Sequence, residues 1–196
     1  RSSDLNVAKS AELELLKTQL NPHFLFNALN SIKALVLIDQ EKARDAIIKL
    51  SELLRFTLNY EKAPLISLNE EINEVIKYLE LEKIRFGKRL DVQVRMQEET
   101  MDMKVPPAMV LTLAENAIKH GITLIPEGGR VSIESKLIDK KLVIEVINDG
   151  VLHVNGSLGI GLKSLEKRLD ALFHEKGDFE ILPFGEKKVK AKISIG

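Results

Sequence analysis

The apolar residues of this chain change their spacing once, and that change decides what it can fold into. Up to Phe86 they recur at helical intervals, and beyond Gly87 they alternate. Leu13, Leu16, Leu20 and Phe24 are spaced as one face of a helix, and the pattern runs past Leu29 to Ile32. Pro22 falls inside that pattern, so a local kink is expected there. After a break at Ile38–Asp39–Gln40, a second stripe consists of Ala43, Ile47, Leu50, Leu54 and Thr57, widened by Ala46 and Leu53. Two amphipathic helices joined this closely form an antiparallel hairpin with an apolar face left over. A dimeric four-helix bundle, with Leu50 and Leu54 in its seam, would cover that face.

Ala63–Pro64 ends the second helix, because proline disfavours helical geometry in the residue before it. Ser67 followed by Glu70 is a capping box that opens a third helix, with Ile72, Val75, Ile76 and Leu79 inward. Strands are expected at Leu90–Met96, Arg130–Ile138, Leu142–Ile147, Phe179–Leu182 and Val189–Ile195. Helices at Pro107–His120 and Gly161–Phe173 interrupt them, the latter with Leu162, Leu165, Leu169 and Leu172 inward. The fold class is therefore α+β. A helical hairpin over residues 1–64 precedes a two-layer α/β sandwich over residues 65–196.

Composition narrows the function classes. Lys+Arg and Asp+Glu both total 29, so the net charge is zero and a nucleic-acid partner is not expected. The absence of cysteine excludes disulfides and zinc–thiolate sites. No apolar run is long enough to span a bilayer. The chain opens at Arg1 without a methionine, so any membrane or sensor segment is expected upstream of this cytoplasmic piece.

On the first helix, Gln19, His23, Asn27 and Asn30 form a polar stripe beside Leu20 and Phe24. An exposed imidazole can serve as a neutral nitrogen nucleophile near pH 7, although a surface histidine among polar neighbours is the commoner meaning of such a residue. The string from Gln19 to Asn30, QLNPHFLFNALN, resembles the phosphoacceptor motif of the LytS-like sensor histidine kinases. Leu50–Phe56 and Tyr78–Phe86 are similar to the same family. The resemblance implies that His23 accepts a phosphoryl group and passes it to an aspartate of a response regulator. Phe24 stands where most other histidine kinases carry an acidic residue, so a base assisting His23 must come from elsewhere.

Along Pro107–His120, Thr112, Glu115, Asn116, Lys119 and His120 lie opposite an apolar stripe of Val110, Leu113, Ala114, Ala117 and Ile118. Side-chain oxygens suit hydrated Mg²⁺, and Lys119 and His120 can meet phosphate charge. Leu113–Gly121 resembles the N box of the GHKL ATPases, which implies that Asn116 holds Mg²⁺ and that Glu115 is the base or a ligand of metal-bound water. Asn148–Asp149–Gly150 and Gly159–Ile160–Gly161–Leu162 resemble the two glycine boxes of the same domain, and the second places backbone N–H groups at a helix start. Asn148 stands where the first box usually has aspartate, Leu152 replaces its second glycine, and the lid between the boxes is only Val151–Leu158. Alternation along Leu142–Ile147 turns Asn148 toward the nucleotide and Asp149 away. The expected function is ATP- and Mg²⁺-dependent autophosphorylation of His23 in a homodimer. The alternative is a nucleotide-binding signalling module with phosphatase activity or none.

Overall fold

A computed structural model of the chain describes residues 21–59, 64–152 and 159–196. The expected stripe residues Leu13, Leu16, Gln19 and Leu20 lie outside the described residues, as do Ala63 and most of the lid.

Helix α1 (Pro22–Ile38) starts at the proline instead of running through it. Asn21 is extended, and its side-chain oxygen accepts from the Phe24 N–H at 3.3 Å. Pro22 is thus the first helical residue, where a missing N–H costs nothing and a fixed φ helps. The expected mid-helix kink is replaced by a capped start. Helix α2 (Gln40–Asn59) follows after Asp39. A two-residue strand β1 (Ile66–Ser67) leads into α3 (Leu68–Phe86). The Ser67–Glu70 capping box forms in both directions.

The hairpin packs one face on α3, with Phe24, Ala28 and Ile32 meeting Ala46, Leu50 and Leu53. The phenyl ring of Phe24 tilts against the Tyr78 ring of α3 at 4.9 Å between centroids. Leu50 is therefore buried inside the chain, whereas Ile47, expected inward, is half exposed. The buried stripe on α2 consists of Ala43, Ala46, Leu50, Leu53 and Thr57.

Strand β2 (Leu90–Met96) begins the main sheet, and β3 (Lys104–Val105) pairs antiparallel with β1. Helix α4 (Met109–His120) precedes β4 (Gly129–Ile138) and β5 (Lys141–Asp149), and α5 (Ile160–Phe173) precedes β6 (Gly177–Pro183) and β7 (Lys188–Ile195). The five-stranded sheet has the order β2-β4-β5-β7-β6, with β2 and β4 parallel and the remaining pairs antiparallel. All five expected strands are present, each extended by at most two residues at an end.

One face of the sheet carries Val131, Ile133, Leu142, Ile144, Val146, Ala191 and Ile193, which join the core under α3, α4 and α5. The opposite side carries ion pairs such as Lys190–Glu145 and Lys192–Glu180, both at 3.0 Å. A sheet with one apolar face and one charged face makes the two-layer sandwich expected from the alternation. Leu172 does not join its core and is 40% exposed in the last turn of α5. Among the described residues, no helix is long and apolar enough to cross a membrane.

Candidate functional site

His23 is exposed as the second residue of α1, in the first turn after the Asn21 cap. Asn27 lies one turn further on, with its amide nitrogen 3.2 Å from the imidazole Nδ1. A donor there leaves the proton on Nε2; the opposite amide orientation would accept from Nδ1–H and free Nε2 for attack. Asn30 is also exposed on this helix. A nucleophile that is accessible and held by a neighbour is what phosphoryl transfer to imidazole needs.

The second group of expected residues is carried by α4 and the strand ends. Helix α4 buries Val110, Leu113, Ala114, Ala117 and Ile118 and leaves Thr112, Glu115 and Asn116 half-buried, with Lys119 and His120 exposed. At its end, Gly121 has no room for a side chain. A Cβ there would collide with Asn148 Nδ2 and with the backbone oxygens of Ala117 and Asp149. This close approach locks the end of α4 to the end of β5. Asn148, buried beside the core, donates from Nδ2 to its neighbour's carbonyl at 2.8 Å.

Beyond this contact lies an open cavity of about 1130 Å³. His120, Gly121, Asp149, Gly150, Phe184 and Lys188 contribute to its lining. Asn148 shares the helix-covered face with Val146, as alternation requires, but it is Asp149 that lines this cavity. Asp149 also accepts from the Arg130 backbone N–H at 2.8 Å. Phe184, in the turn joining β6 to β7, and Lys188, the first residue of β7, carry no local motif that would have marked them.

The second glycine box starts α5. Gly159 is its N-cap, and Gly159 and Gly161 are exposed while Leu162 is buried in the core. A Cβ on Gly161 would press on the Thr112 methyl at 3.3 Å, so α5 begins close against α4. The structure thus brings the N box and the first glycine box together at Gly121 and sets the second box beside Thr112. It leaves His23 on a different helix.

Electrostatics single out Glu115. Burial pushes its carboxyl up to about 7, the Glu82 carboxylate adds to the rise, and Lys119 opposes it. Glu82, buried on α3, is itself raised by burial, with Arg85 at 3.2 Å pulling the other way. Tyr78, fully buried under Phe24, is raised by burial and by both carboxylates. A base with a pKa near 7 is well matched to neutral pH. If Glu115 acts in its ionised form, phosphoryl incorporation should rise from pH 6 to 8 and level off above, and Glu115→Gln should remove that limb at a cost of about 10²–10⁴-fold. A pH–rate profile of the two proteins checks this. The sign for stability is opposite: a raised carboxyl pKa favours the fold when protonated, so that contribution is full below 4.5 and lost as the pH rises through about 7.

Among the described residues, no group of three or more His, Cys, Asp or Glu side chains could hold a metal by itself. A Mg²⁺ delivered with nucleotide would keep its waters and take few protein ligands beside the phosphates. Asn116, half-buried on α4 with a neutral side-chain oxygen, fits such a role.

Residues 11–90 match the family model for histidine kinases. Sensor protein LytS of Staphylococcus epidermidis is 35% identical over 179 residues, which cover 84% of this chain and 30% of that protein. The sensor histidine kinase/phosphatase LytS of Staphylococcus aureus is 33% identical over 180 residues, covering 84% of this chain and 31% of its own length. The histidine kinase domain of the Erythrobacter litoralis EL346 blue-light activated histidine kinase superposes with a TM-score of 0.53 at 15% identity, covering 94% of this chain and 93% of that domain. That likeness shows the fold, a helical part followed by a mixed five-stranded sheet covered by helices. The chain belongs to the histidine kinase family, with LytS-type proteins among its relatives. It spans about 30% of the length of the curated relatives it matches.

Proposed function

We propose that this chain is the catalytic core of a two-component sensor kinase, which transfers the γ-phosphoryl group of ATP to His23 and then to an aspartate of a response regulator. The observation that carries this reading is the pairing of an exposed, neighbour-held imidazole on α1 with a glycine-tight junction of α4 and β5 beside an open cavity. Bound Mg²⁺ would supply charge neutralisation at the phosphates, with Asn116 as its side-chain ligand. Lys119, His120 and the backbone at Gly159–Gly161 lie where phosphate charge can be met. Asn148, Asp149 and Gly150 form the base end of the site. Glu115 withdraws the proton from the attacking imidazole, or orients water on the metal. Residues 1–64 form the phosphoacceptor hairpin and 65–196 the ATP-binding domain, on the cytoplasmic side of a membrane-anchored sensor.

The hairpin argues for a homodimer. With Phe24, Ala28, Ile32 and Leu50 consumed against α3, it still shows Phe26 at 67%, Leu29 at 50% and Ile47 at 50% exposure. The seam of a four-helix bundle therefore belongs to these outward residues, and Leu50 belongs to the core of each protomer. Replacing Leu29 and Ile47 with Asp should convert the dimer to a folded monomer, whereas Leu50→Asp should unfold the hairpin. Light scattering with far-UV circular dichroism distinguishes these outcomes.

A second reading has one support. The Staphylococcus aureus relative is named both kinase and phosphatase. Phosphoryl release from a phosphorylated response regulator, measured with and without this chain, would reveal the second activity. Incubation with γ-labelled ATP tests the first.

A further inference from the structure

Three helices of the ATP-binding domain meet at one buried carboxylate that the kinase reading leaves without a role. Glu71, on α3, has no exposed surface. Its Oε2 accepts from the Ala108 backbone N–H at 2.8 Å and its Oε1 from the Leu111 N–H at 3.0 Å. Those groups are among the orphan donors at the start of α4, where the N-cap residue Ala108 offers no side chain of its own. Ala108 also holds a left-handed φ of 59°, a conformation an alanine does not adopt without a compensating interaction. The turn is fastened from the other side as well. Arg168 of α5 donates from a guanidinium nitrogen to the Pro107 carbonyl at 2.8 Å, and its charge acts on Glu71.

We infer that Glu71 is a positioning residue that holds the start of α4 in register, and with it Asn116 against the nucleotide. This rests on the kinase reading and extends it. Asn116 lies two turns along the same helix, about 12 Å from the cap at 1.5 Å rise per residue. A helix anchored at Ala108 by Glu71 and at Gly121 by the approach of Asn148 has no freedom to slide or rotate between them. Because α3 also carries the hairpin, the same carboxylate ties the helix under His23 to the helix bearing the metal ligand. Arg168 brings in the helix that starts at the second glycine box. Burial favours the neutral acid, while the three backbone N–H groups at Leu111, Ala108 and Val110 and the Arg168 charge favour the carboxylate. Each oxygen accepts one backbone N–H, an arrangement that a carboxylate, with two acceptor oxygens and no proton to place, satisfies in full.

Glu71→Gln is the informative variant, since it preserves size but turns an N–H toward one of the two backbone donors. Nucleotide affinity is measured by calorimetry on parent and variant, with Mg²⁺ and with EDTA, beside a thermal melt. The expected result is Mg·ATP affinity weakened about tenfold with metal-free ATP affinity changed less than about threefold, in a variant still folded at the assay temperature. A lower melting temperature with unchanged Mg·ATP affinity would make Glu71 a purely structural cap and overturn the inference. A parent chain that binds no Mg·ATP would overturn the kinase reading instead. Should the variant not fold, hydrogen exchange in the parent decides. Coupling is reciprocal, so Mg·ATP should slow exchange at the Ala108 and Leu111 amides, and exchange unaffected by saturating Mg·ATP would refute the inference.

Discussion

Replacing His23 with Gln should reduce phosphoryl incorporation to background while leaving ATP affinity within about twofold of the parent, because a carboxamide has no nucleophilic nitrogen. The separation follows from the architecture. His23 sits on the first turn of α1, beside Asn27 among the described residues, whereas the residues proposed for nucleotide are held by the α4–β5 junction. Gln is also mild toward the fold. It is a good helix former, and the position is exposed and outside the contact of Phe24 with Tyr78. Filter binding of labelled protein and calorimetry with ATP measure the two halves. Undiminished labelling would remove His23 from the chemistry, and lost ATP binding would mean that α1 contributes to the nucleotide site.

The second large effect is expected at Asn116. Its carboxamide oxygen is the neutral ligand a hydrated Mg²⁺ can accept on a helix whose neighbouring oxygen donor, Glu115, is raised to about 7 by burial and by the Glu82 carboxylate. Asn116→Ala should weaken Mg·ATP by about ten- to a hundredfold, the scale of one hydrogen bond or ligand contact to a charged group, and should weaken metal-free ATP far less. The change lies on a half-buried face, so stability should fall by under about 1 kcal/mol. Equal losses with Mg²⁺ and with EDTA would take the metal-ligand role from this residue.

What was readable in the sequence follows from period and local chemistry. Strand β5 could be placed within two residues because Leu142, Ile144 and Val146 alternate with Glu145, and the same alternation put Asn148 on the helix-covered face. The Ser67–Glu70 cap was readable because all its partners lie within four residues. Pro22 was misplaced because apolar residues keep helical spacing on both sides of it. An Asn–Pro pair reads equally as a cap followed by a first helical residue, and that is what forms. Ile47 was assigned inward because an amphipathic stripe does not state which part of its width a partner helix will cover; α3 covers the side of Ala46 and Leu53. The role of Glu71 was hidden for a different reason. In sequence it is one more acidic residue in the first turn of a helix, and the donors it satisfies are 37 and 40 residues away. Tertiary capping leaves no local pattern.

The proposal as a whole stands on the chemistry at one imidazole, and the product itself reports it. Incubating the chain with Mg²⁺ and γ-labelled ATP, then testing the label for acid and base stability and mapping it by mass spectrometry, is the most direct measurement. The expected result is label on His23 that is lost in acid and kept in base, as a phosphoramidate behaves. Label on a hydroxyl or carboxylate residue, or none on a chain that binds Mg·ATP, would contradict it.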